Sequence, residues 1–160
     1  MKGSGRLLTL LLLVAAGTAR ATDPGIGSPA VPWPRVRVRV AGTPILAEVA
    51  DTPDRRRQGL SGRESLAKAH GMLFPYPRPD RYAFWMKGMR FDLDILWARS
   101  GRIVHIQRRA PHRVTDPLPI YRPREPADLV LEVPAGTATR LRWRVGDPVV
   151  VEPLEPQEGR

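Results

Sequence analysis

The sequence predicts a mainly β fold, a compact antiparallel sandwich or small barrel with one short helix. Three observations point there. Short alternating or wholly apolar runs recur along the chain, each about the length of a strand. Gly, Pro and Asp break these runs at close intervals, as in all-β domains. One segment, 52–59, carries the start and stop chemistry of a helix.

At the N-terminus, Lys2 and Arg6 precede an apolar run from Leu7 to Ala16, and Ala19-Arg20-Ala21 puts small residues where a signal peptidase cuts. About ten apolar residues are half of what a spanning helix needs. Residues 1–21 therefore read as a signal peptide, with only transient membrane targeting, and the mature chain as periplasmic or secreted. Residues 22–34, rich in Gly and Pro, read as a flexible leader, 35–152 as one β-rich domain and 153–160 as a frayed tail.

Within the domain, Arg35, Arg37 and Arg39 alternate with Val36, Val38 and Val40, which gives a strand with one charged and one apolar face. Ala41 to Pro44 turns the chain and Ile45–Val49 returns as the second arm of a hairpin. Thr52 suits an N-cap, Pro53 the first helical position and Gly59 the end of the helix. Gly71–Phe74 reads as a strand, and Pro75–Asp80, with three prolines, as loop. Tyr82–Lys87, Leu93–Ala98 and Arg102–Gln107 read as strands, the last two joined by the turn at Arg99-Ser100-Gly101. Five prolines exclude an ordinary helix or central strand from 109–127, so this segment reads as a long loop across the core. Leu129–Val133 and Val149–Glu152 are strands, and Ala135–Arg140 has room for one helical turn.

Composition narrows the chemistry. The chain of 160 residues has a net charge of +10, carried mostly by arginine, and no cysteine. Disulfides, thiol nucleophiles, thiolate zinc sites and a lipid-modified N-terminal cysteine are thereby excluded. The basic balance favours solubility and anionic partners, whereas export argues against nucleic acid as the partner. The mature serines, Ser28, Ser61, Ser65 and Ser100, lie outside any nucleophile elbow, and no Gly-rich phosphate loop is present. His70, His105 and His112 lack zinc spacing, and Asp92-Leu93-Asp94 alone offers too few oxygens for a hard cation, so neither metal nor cofactor is expected. His112, in the long loop, is the better placed of the three for function.

Charges set among apolar residues are the candidates for a site. Lys87 and Asp94 sit in or beside apolar strands, Glu132 lies inside Leu129–Val133, and Arg56 on the short helix offers a second cation. An unpaired ion in such surroundings costs several kcal/mol, so each needs a partner or a function. Trp85 and Lys87 share a face if their segment is extended, which gives a stacking surface beside a point charge. Lys87 can equally pair with Asp94 or Glu132 and stabilise the fold. The row Arg35, Arg37, Arg39 is either a solvated strand face or a docking face for anionic partners.

Joined in order, several blocks resemble the bacterial and archaeal family named domain of unknown function 192. They are Val49–Pro53 with Arg56 and Gln58-Gly59-Leu60, Gly62–Leu66, Gly71–Phe74, Phe84–Lys87, Leu93–Leu96, Val130-Leu131-Glu132, Ala135-Gly136 and Gly146-Asp147. Ser61 and Asp92 depart from it, where relatives often have Met and Pro. The resemblance implies a compact β-rich domain, often exported, without an established activity, and it marks Arg56, Trp85, Lys87, Asp94 and Glu132. The functional expectations are three. The first is a binding module for a small or polymeric anionic or carbohydrate envelope ligand near Trp85 and Lys87, with loop 109–127 over it. The second is a hydrolase-like enzyme using Lys87 with Asp94 or Glu132. The third is an envelope accessory protein using its arginine strand. Oligomeric state is left open.

Overall fold

The hairpin at the start of the domain forms as its alternation requires. In the computed structural model, which describes residues 32–113 and 117–154, β1 (Arg35–Val40) pairs antiparallel with β2 (Thr43–Val49). The turn between them holds Ala41 at φ +48° and Gly42 at φ +83°, and Ser100 (φ +48°) and Gly101 (φ +73°) repeat that turn in a second hairpin. Two positive φ values in a row match the turn to the right-handed twist of the strands. The proposed signal peptide, most of the leader and residues 155–160 lie outside the described residues.

Helix α1 (Pro53–Gln58) follows, with Thr52 Oγ1 accepting the Arg55 N–H at 3.2 Å and the Gly59 N–H donating to the Arg55 carbonyl at 2.8 Å. Next come β3 (His70–Asp80), β4 (Phe84–Trp85), β5 (Leu93–Arg99), β6 (Arg102–Ala110), β7 (Ile120–Tyr121), β8 (Ala127–Pro134), α2 (Thr137–Arg140) and β9 (Val149–Pro153). Seven strands form one curled sheet in the order β6-β5-β8-β3-β2-β1-β9, while β4 and β7 make a small second sheet. The curl brings the two edges together at one point. There Ile103 N–H donates to the Asp147 carbonyl at 3.0 Å and Gly146 N–H to the Ile103 carbonyl at 2.8 Å, so the sheet is a half-barrel closed by one turn.

Five details differ from the sequence expectation. The sheet is not wholly antiparallel: β2 and β3 run parallel, because α1 and the loop to residue 69 carry the chain back to the starting end. The prolines at 75–80 lie within β3. Pro75 pairs with Leu129 and Asp80 with Ala127, so four intervening residues face one on β8, and that irregularity accommodates rings lacking an N–H. The strand expected over 82–87 shrinks to Phe84–Trp85, which pairs with β7 inside the proline-rich segment, and Lys87 sits in the turn beyond it. The helical turn for which Ala135–Arg140 had room forms over Thr137–Arg140, so the fold has two short helices rather than one. Trp33, expected in the leader, packs on the domain, with the Arg55 and Arg63 guanidinium groups each 5.6 Å from its ring.

Apolar residues bury both faces of the sheet. One face carries Val38, Ile45, Leu73, Leu96, Ile103, Leu131 and Val133, covered by Ala138 and Trp143. The other carries Met72, Phe74, Ile95, Trp97 and Val130, covered by Leu60 and Met86 from the connecting loops. A sheet covered on both sides explains why β5 reads as a continuous apolar run rather than an alternating one.

Candidate functional site

The exposed end of β4 and the turn after it place an open indole beside an ammonium. Trp85 leaves 57% of its surface open, and Ile120, directly opposite on β7, leaves 51%. Lys87 Nζ lies 5.8 Å from the centre of the Trp85 ring, within cation–π range. These residues do not share a strand face, as the sequence suggested; the turn brings the ammonium back over the indole. Gly88 makes that turn possible. Its φ is +70°, and a Cβ there would lie 2.2 Å from Ser61 Oγ. The Gly62 N–H donates to the Gly88 carbonyl at 2.9 Å, which docks the turn on the loop after α1.

Between these parts is a cleft of about 410 Å³ lined by Arg57, Ser61, Trp85, Lys87 and Gly88. Among the described residues no carboxylate lines it. Arg57 bonds Asp54 on its own helix, so its charge is shared, whereas Lys87 has no ion pair among the described residues. Arg57 and Ser61 were not among the site candidates. Their only sequence signal was the family departure at Ser61, which falls inside the cleft.

Arg56 has a different task. Its Nη2 donates to the carbonyls of Asp51 at 3.0 Å and Pro75 at 2.7 Å, and its guanidinium lies 4.8 Å from the centre of the Tyr76 ring. It ties α1 to β3, and its Nε is buried without a hydrogen-bond partner. Tyr76 stacks on Tyr82 at 3.5 Å, and burial pushes its hydroxyl up to about 12.

The two buried acids do not form a dyad with Lys87 or with each other. Glu132 lies directly across from Ile95 on β5 and Met72 on β3, on the Trp97 face of the sheet. Asp94, next to Ile95, points to the opposite face. There Asp94 is fully buried, its Oδ1 accepting the Arg109 N–H and its Oδ2 the Ala138 N–H, both at 2.8 Å. It anchors the end of β6 and the start of α2. Glu132 is 5% exposed, with no hydrogen bond or ion pair among the described residues, and burial pushes its carboxyl up to about 8.

Asp92 and Asp94 do not converge on one point either. Asp92 Oδ1 accepts both the His112 backbone N–H at 2.8 Å and the ring Nδ1–H at 2.5 Å, and the histidine holds its carboxyl below the usual range. The two aspartates thus tether successive parts of residues 109–112. No local pattern signals this pair, whose members are 20 residues apart. The arginine row is partly neutralised: Glu152 lies 2.9 Å from Arg39 and 3.9 Å from Arg37.

The DUF192 family model, described as "Uncharacterized ACR", matches residues 36–151. The chain belongs to the DUF192 family. Two solved structures share its fold. One is from Sinorhizobium meliloti 1021 and is described as a candidate transcription regulator; it is 36% identical, with a TM-score of 0.68 over 76% of this chain and 96% of that one. The other, a protein of unknown function from Novosphingobium aromaticivorans DSM 12444, is 29% identical, with a TM-score of 0.65 over 81% of this chain and 91% of that one. No curated protein matches the chain. The five residues marked by the DUF192 pattern divide by role in this member: Arg56 and Asp94 hold the fold, Glu132 is buried, and Trp85 and Lys87 face solvent together.

Proposed function

We propose that this DUF192 protein is a binding module that holds an anionic or carbohydrate ligand at Trp85 and Lys87. One observation carries the reading: an open indole with an ammonium 5.8 Å from its centre, in a cleft that no carboxylate lines among the described residues. A sugar ring or other flat ligand stacks on the indole while Lys87 meets its negative group. Ile120 widens the apolar platform, and Ser61 adds a hydroxyl that tunes which ligand fits. The layout of residues 1–21 supports export, which makes an envelope molecule the natural ligand.

The test is titration with a uronic-acid oligosaccharide, followed by NMR of the indole N–H signals with Trp85 assigned by Trp85→Phe. The Trp85 signal shifts and those of buried Trp97 and Trp143 stay still. Lys87→Ala weakens binding at least tenfold and leaves stability within about 0.5 kcal/mol, since the side chain is exposed. A melting temperature that falls with Lys87→Ala, or an unmoved Trp85 signal across sulfated, phosphorylated and uronic-acid sugars, overturns the reading.

A further inference from the structure

The open side of β6 forms a second groove, of about 550 Å³, that shares no lining residue with the Trp85 cleft. β6 is an edge of the seven-stranded sheet. The turn at Gly146–Pro148 covers that edge only at its start, through Arg102 and Ile103. Beyond Ile103, no strand among the described residues pairs with the outer side of β6. An unpaired strand edge presents a row of peptide N–H and C=O groups that can take another strand.

The side chains around this edge are of two kinds. Val104, Ile106 and Val145 supply apolar surface, and Val145 is 63% exposed. Arg108, Arg124 and Arg144 supply positive charge, against one carboxylate, Glu125. Arg108 is held in place, donating to the Trp143 carbonyl at 2.6 Å and to Thr139 Oγ1 at 3.3 Å. Arg124 and Arg144 have no ion pair among the described residues. His105 adds little charge, because burial and the field of Arg124 push its titration down.

We propose that the outer edge of β6 takes an extended acidic segment of a partner protein as an added strand. Its backbone pairs with residues 104–108, where Val104 packs with the Trp97 face of the sheet and Ile106 with the Trp143 face, and its carboxylates meet Arg124 and Arg144. Charge complementarity selects the occupant: a basic or neutral strand finds the same edge but leaves the arginines unmatched. This groove is separate from the Trp85 cleft, so each proposal can fail without the other.

The probe is a capped octapeptide of alternating Glu and Val, tested on the full chain by calorimetry and by hydrogen exchange. Binding is expected, with slowed exchange confined to amides of 104–108 and with affinity falling as salt rises. Arg124→Glu with Arg144→Glu weakens the peptide at least tenfold while the melting temperature holds. Arg108→Ala, which also releases the Trp143 carbonyl, serves as the comparison that perturbs folding. Equal binding of a Lys–Val peptide overturns the proposal. So does tripolyphosphate displacing the peptide with no protection of β6 amides, which would make the groove a site for small anions alone.

Discussion

Asp94 and Glu132 lie on the neighbouring strands β5 and β8, and both are buried, yet among the described residues only Asp94 has hydrogen-bond partners. The Asp94 carboxyl meets two backbone N–H groups that would otherwise be orphaned where β6 ends and α2 begins. The Glu132 side chain shares the sheet face of Met72 and Ile95, close enough to Tyr76 to push that hydroxyl's titration up, and burial leads it to keep its proton instead. Burial alone therefore does not say what an acid is doing. A short acid aimed at free amides works as a tether, and a longer one buried without them becomes a neutral polar group held at a stability cost.

The largest test of that contrast is pH. Glu132 titrates near 4.5 in the unfolded chain and near 8 in the folded one. The folded state thus holds a proton that the unfolded state releases first. Its contribution to stability is complete below pH 4.5, declines as pH rises from 4.5 to 8 and levels off above that. The shift corresponds to at most ~5 kcal/mol. Glu132→Gln removes this slope, so the variant gains on the wild type as pH rises from 5 to 9 in urea titrations. Parallel pH profiles for the two proteins would show that Glu132 is not the sealed group described.

Next in size is Asp94→Ala, expected to cost about 3 kcal/mol because two buried N–H groups lose their acceptor. The loss is read as a lower urea midpoint, and hydrogen exchange accelerates first at Arg109 and Ala138. Asp94→Asn, which keeps one acceptor oxygen, falls between. If Asp94→Ala and Glu132→Ala lowered the midpoint equally at pH 7 without touching those amides, the distinction between tether and sealed acid would collapse.

The smallest test adds a third acid. Glu48 pairs with Arg63 at 2.6 Å near the surface, and that bond holds its carboxyl below its ordinary value of 4.5. The pair's contribution is present above pH 4.5 and lost as pH falls through the folded value, opposite in direction to Glu132. Both groups are partly solvated, so Arg63→Ala is expected to cost about 1 kcal/mol at pH 7 and less in acid and in high salt. A cost that grew in acid would reverse the assignment.

Much of the fold was legible from local rules. The alternation of Val36 to Val40, the Thr52-Pro53 cap and the turns at Ala41-Gly42 and Ser100-Gly101 each depend on residues next to one another, and each formed where expected. Two of the misreadings share a cause. Prolines at 75–80 and Tyr82–Lys87 were judged by their own propensity, but pairing is decided by the strand alongside: β8 tolerates the irregularity in β3, and β7 is just two residues long.

The site divides in the same way. Trp85 and Lys87 were found together because they are two residues apart, and even a misjudged strand leaves them adjacent. Asp94, Glu132 and Lys87 looked like one constellation because sequence shows that a charge lies among apolar residues without showing which side of the sheet it faces or what comes to meet it.

By itself the sequence determined the β class, the hairpins, the helix cap, the family and the presence of charges among apolar residues. Only the tertiary structure decided that β2 and β3 run parallel, that Asp92 reaches His112, and that Asp94 and Glu132 point away from each other. The reason is range. Turn and cap chemistry acts over a few residues, whereas the partner of a buried charge is chosen by strand order and register, which bring together residues far apart in the chain.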